Sequence, residues 1–147
     1  MPLETVIWYT RQEIKANPKK LYIFGDNFQE TGYGGQAKEA RGEHNSIGIP
    51  TKRYPTFAEG AYLRDNDLVE WKAIAEPRLF QALNTLKAGG VVVWPASGIG
   101  TGLARLSETA PLIFLELRKW IDEFMKFEGD TIEDQPLIPL SKQRQIK

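Results

Sequence analysis

The stretch VVVWPAS at 91–97 is apolar on consecutive residues rather than at alternate ones. A strand with one face in water alternates; a run this uniformly apolar is a strand covered on both faces, so the chain must supply helices above it and below it. LYIFGDN at 21–27 has the same character and closes on a Gly-Asp-Asn turn signal. ETVIWYT at 4–10 is β-branched and aromatic, and NSIGIPT at 45–51 reads as a further strand.

Helical segments lie between these strands. RQEIKANPKK holds one short turn ended at Asn17-Pro18, QAKEAR at 36–41 is stopped by Gly42, and longer helices cover 66–88 and 109–127. Asn66 or Asp67 is expected to cap the first long helix, and Pro77 to kink or divide it, because proline removes a helix hydrogen bond. In the last helix, Leu112, Leu115, Ile121 and Phe124 are expected to share the buried face. Strands alternating with helices indicate an α/β protein, a three-layer αβα sandwich around a mixed, mostly parallel sheet. One domain is assigned to 1–127, and 128–147, which contains Pro136 and Pro139, is read as an extended C-terminal tail.

Composition removes several chemistries. Lys plus Arg and Asp plus Glu each total 19 of 147 residues, and the resulting zero net charge argues against a non-specific nucleic-acid binder. The absence of cysteine excludes disulfides, thiolate catalysis and cysteine-ligated zinc, and the single histidine, His44, excludes a zinc site of paired histidines. No metal site is expected. No apolar run approaches the roughly 20 residues that span a bilayer, and no signal-peptide pattern is visible, so the expected setting is cytoplasmic with no membrane partner.

Two glycine clusters each follow a buried strand and precede a helix: GDNFQETGYGGQAKEARG at 25–42 and SGIGTG at 97–102. Ligands of open α/β sheets bind beyond the carboxyl ends of the strands, where glycine lets backbone N–H groups converge on an anion. Paired loops of this kind suit a diphosphate, held by amides rather than by lysines. Neither cluster is a P-loop, which needs Lys-Ser or Lys-Thr after its last glycine, and neither is a GxGxxG turn. Within the first cluster, Asp26 and Asn27 can act on a ligand or close an Asx-turn. Arg41 can fork onto phosphate or lie on an exposed helix face, and Tyr33 can stack on a base or ribose. Lys52 and Arg53, at another strand end, either line the same mouth or form a solvated turn.

These loops resemble those of the macro domains, a family that binds ADP-ribose and its derivatives. That family's first loop has an asparagine with glycines five and seven positions on, as in Asn27, Gly32 and Gly34, with Gly35 beyond. Its second reads Ile-Gly-x-Gly-Leu, as in Ile99, Gly100, Gly102 and Leu103. The resemblance implies a macro-like fold and an ADP-ribose-like nucleotide as ligand, with no cofactor required. Asn27 would face the distal ribose, Gly32, Tyr33, Gly34, Gly35, Gln36 and Arg41 would follow the diphosphate, and Ser97, Gly98, Ile99, Gly100, Thr101, Gly102 and Leu103 would close over the phosphates. The implied partner is a free nucleotide or an ADP-ribosylated macromolecule.

Gln36 stands where hydrolases of that family place an acidic residue, and Ala40, Arg41 and Ala104 stand where another branch uses lysine and aspartate. Binding without turnover is therefore the first expectation. An enzyme acting on ADP-ribose derivatives, removing the ADP-ribosyl group or a terminal phosphate with Asp26 and Asn27 positioning water, is the alternative. A third is a protein or single-stranded nucleic-acid interaction module using Tyr54, Phe57, Tyr62, Lys52, Arg53 and Arg64.

Overall fold

The structure, a computed structural model, describes residues 3–96, 99 and 105–127. The chain runs β1 (Leu3–Val6), α1 (Arg11–Ala16), β2 (Lys20–Asn27), α2 (Ala37–Ala40), β3 (Ser46–Lys52), α3 (Leu68–Lys87), β4 (Val91–Pro95), α4 (Leu106–Thr109) and α5 (Pro111–Met125), with single 3-10 turns at Glu59–Ala61 and Asp65–Asp67.

The strands form one sheet in the order β1-β4-β2-β3, and every pairing is parallel. The expected mixed sheet is corrected among the described residues. Each strand is followed by a helix-containing segment that carries the chain back to the same end before the next strand begins, which is what parallel pairing requires. β1 is also shorter than the sequence implies. Its aromatic continuation leaves the sheet because the Gln36 amide takes over the Tyr9 backbone, accepting from its N–H at 3.0 Å and donating to its carbonyl at 2.8 Å.

Period-two alternation along the central strands sends apolar side chains to both faces. Leu21, Ile23, Val92 and Trp94 join α3 and α5 in the larger core, while Tyr22, Phe24 and Val93 pack with Tyr9, Ile14, Ala37 and Ala40 on the α1–α2 side. Helices thus cover both faces of the sheet.

α3 passes through Pro77 as one helix of 20 residues, preceded by a 3-10 turn. The carbonyl deprived of its partner belongs to Ala73, and both Ala73 and Pro77 are exposed, so water can take that bond. The buried row of Trp71, Ala75, Leu79, Ala82, Leu83 and Leu86 keeps the helix against the core. Asp67 occupies the N-cap position, but its carboxylate accepts from the Arg64 N–H and from Arg53 instead of capping. In α5 the buried residues are Ile113, Leu117 and Phe124, while Leu112 and Leu115 face solvent. The expected stripe holds in the second half of the helix, where Phe124 is buried and Ile121 packs against the core, and fails in the first half.

The outer edge of β3 is closed by the chain itself. The Trp71 indole N–H donates to the Pro50 carbonyl and the Arg78 guanidinium to the Gly48 carbonyl, each at 2.8 Å. Pro50 has no N–H to offer. The edge is therefore a poor template for a further strand. Trp71→Phe leaves the Pro50 carbonyl buried without its donor and is expected to cost about 1–3 kcal/mol in urea unfolding; a loss well below 1 kcal/mol would show that water replaces the indole.

Candidate functional site

β2 and β4 are neighbours at the centre of the sheet, yet the chain leaves them for opposite faces. From β2 it passes to α2 on one side, and from β4 to α4 and α5 on the other. In open α/β sheets such a divergence, beyond the carboxyl ends of the strands, is where ligands bind. The first glycine loop follows the carboxyl end of β2. Ala96, whose N–H donates to the Val6 carbonyl, and Arg105 flank the second cluster. Ser97, Gly98, Gly100, Thr101, Gly102 and Leu103 lie outside the described residues. Ile99 is described and buried; its side chain lies 3.8 Å from where a Cβ on Gly25 would be. Ile99 therefore serves the core, and Gly25 leaves ordinary packing room for it.

The first loop is built around a buried ion pair. Asp26, at the end of β2, faces Arg41, just past α2. The guanidinium meets the two carboxylate oxygens at 2.5 and 3.3 Å, and it also donates to the Gly32 carbonyl at 2.7 Å and the Thr31 carbonyl at 3.0 Å. Asp26 further accepts the Asn27 N–H at 2.8 Å. Asn27 forms an Asx-turn: its side-chain oxygen accepts from the Gln29 N–H and its amide donates to the Thr31 carbonyl. Gln36 is held by Tyr9. The polar side chains expected to meet a ligand, Asp26, Asn27, Gln36 and Arg41, all have partners within the protein.

The glycines divide by physical cause. Gly32 has φ +89°, and a Cβ there would stand 2.8 Å from Pro55; the fold demands glycine twice over. Gly35 has φ +55°, in the left-handed region, and Gly42 at φ +94° ends α2. Gly34 has no positive φ, and no atom lies within 4 Å of the space its Cβ would fill. The N–H groups of Gly34, Gly35 and Gln36 find no acceptor among the described residues. Tyr33 beside them is 65 % exposed. Among the described residues, nothing requires the backbone to be bare at Gly34.

Sequence reasoning missed Gly48, where a Cβ would fall 2.5 Å from the Asp26 carboxylate. A glycine inside a strand is the available signal for such close approach. It also missed Arg78, which pairs with Glu30 at 2.6 Å across the mouth of a cleft of about 400 Å³ beside β3. Asp26, Glu30, Arg41 and Arg78 line that cleft. Its charges are matched within the protein, Asp26 with Arg41, Glu30 with Arg78, and Glu43 with Arg11 and Lys15. No group of His, Cys, Asp and Glu among the described residues could hold a metal ion, and no helix among them is long and apolar enough to cross a membrane.

Removing Arg41 leaves the Asp26 carboxylate buried without its counter-ion. Arg41→Ala is expected to cost about 3–5 kcal/mol in chemical unfolding, the range for one partner of a buried pair. A loss under about 1 kcal/mol would mean that solvent reaches Asp26 and that the pair does not fix the loop.

No curated protein and no solved structure matches the chain. One family model does, over residues 4–120, which takes in the whole sheet, the first glycine loop and α3. On that match the chain belongs to the family of unknown function DUF7831.

Proposed function

We propose that the chain binds ADP-ribose or a related nucleotide diphosphate-ribose at the carboxyl ends of β2 and β4, in a macro-domain-like version of its α/β fold. The observation that carries this reading is Gly34, a glycine required by neither backbone geometry nor packing. It is followed by N–H groups without acceptors among the described residues. A diphosphate lying against Gly34 and Gly35 gives both features a purpose, since amides can hold an anion only where no side chain intervenes. Its place at a divergence of strand connections is where α/β sheets take nucleotides. The zero net charge accords with a phosphate site made of amides.

Binding without turnover is the form we favour. A general base needs a free lone pair within reach of the proton it takes, and the Asp26 oxygens are already engaged by Arg41 and the Asn27 N–H. The ligand is then a free nucleotide or an ADP-ribose group on a macromolecule in the cytoplasm. A nucleic-acid reading draws less support, because Arg53 pairs with Asp67 and Tyr62 is buried.

Calorimetric titration with ADP-ribose, with AMP, ADP and NAD for comparison, tests the reading. Gly34→Ala should melt like the parent, while Gly34→Glu should fold and lose ADP-ribose affinity by at least about tenfold, roughly 1.4 kcal/mol. Gly35→Ala should instead be less stable by about 1 kcal/mol, from its left-handed backbone. Absence of heat with every nucleotide, or a Gly34→Glu variant that binds normally, overturns the proposal.

A further inference from the structure

Lys52 is the last residue of β3 and stands beside Asn27 in the β2–β3 register. Its Nζ donates to the Thr56 carbonyl at 2.9 Å and lies 4.4 Å from the Phe57 ring centroid and 5.3 Å from that of Tyr62. The neighbouring cations Arg53 and Arg64 have carboxylate partners; Lys52 has none among the described residues. Burial holds its ammonium below the ordinary lysine pKa, so its charge is incompletely compensated.

A second cation reaches the same ring. The Arg105 guanidinium lies 5.4 Å from the Tyr62 centroid. Arg105 has φ +55°, a left-handed backbone that disfavours any residue with a Cβ. Glycine would be the undemanding choice there, and an arginine kept in such a conformation points to a use for its side chain. Its carboxylate contact is with Glu108, three residues on at 3.0 Å, and both side chains are more than half exposed. Screened surface pairs of that kind contribute little.

We propose that Lys52 and Arg105, seated on Tyr62, form an anion subsite that takes a phosphate group beside Asn27. Two cations that share a ring suit a dianion with several oxygens. Lysine supplies a point charge and arginine a planar fork. The phosphate is either the nucleotide's own or free inorganic phosphate. The first source rests on the function proposed above, and the second does not.

The experiment titrates inorganic phosphate and, separately, ADP-ribose into the whole chain while amide NMR signals are followed. Phosphate should shift the signals of Lys52, Tyr62 and Arg105. Lys52→Met, which preserves the aliphatic packing, should weaken phosphate binding by about tenfold or more, and Lys52→Arg should restore much of it. Arg105→Gly should melt no lower than the parent and still lose phosphate affinity, which a merely structural arginine would not. If ADP-ribose affinity falls in the same variants, the nucleotide supplies the phosphate; if only inorganic phosphate affinity falls, the subsite takes free phosphate. Phosphate binding at Lys52 with no ADP-ribose binding leaves the subsite standing and removes the nucleotide reading. ADP-ribose binding that needs an unsubstituted Gly34 but is indifferent to both cations, with no phosphate shift at Lys52, removes the subsite and keeps the nucleotide reading.

Discussion

The Arg41 guanidinium organises the carboxyl end of the sheet. From its place after α2 it meets the Asp26 carboxylate and the carbonyls of Thr31 and Gly32, so one planar group joins the end of β2, the turn that follows and the helix that closes the loop. A buried ion pair seldom adds net stability relative to a well-packed apolar pair, because desolvation offsets most of the Coulomb attraction. Its value here is geometric. A fork that must satisfy four bonds at once leaves the glycine loop little choice of path. Gly48 belongs to the same arrangement, since a side chain there would occupy the space of the Asp26 carboxylate.

With that loop pinned, the remaining groups sort into those that build it and those left open to solvent. Asn27 turns the chain out of β2, and Gln36 ties the loop to Tyr9. The Tyr9 hydroxyl donates to the Ile23 carbonyl, and burial pushes its pKa upward. Gly34, Gly35 and the Tyr33 ring remain turned to solvent. A polar residue in a glycine-rich loop can serve the loop itself: Asp26, Gln36 and Arg41 bond within the protein and shape its backbone.

Legibility in the sequence followed the range of the interaction. The uniformly apolar runs marked β2 and β4 as two-sided strands, and both faces are covered. Gly42 was read as the stop for α2, and it has the left-handed φ that such a stop uses. Errors arose where a distant contact decided a local matter. β1 stops short because Gln36 takes the Tyr9 backbone, α3 survives Pro77 because its opposite face is bound to the core, and in the first half of α5 the core takes Ile113 and Leu117 in place of Leu112 and Leu115.

The sequence by itself determined the α/β class, the strand–loop–helix setting of its glycines and the chemistries that a cysteine-free chain with one histidine forgoes. Hydrophobic period and backbone permissiveness are properties of short segments, so they can be read without coordinates. Tertiary structure alone decided that the sheet is parallel throughout, that Arg41 answers Asp26, and that Lys52 and Arg105 share Tyr62. It also separated Gly32, which Pro55 crowds, from Gly34, which nothing crowds. These depend on which segments meet in space, and a residue's partners across the chain leave no mark on its own local pattern.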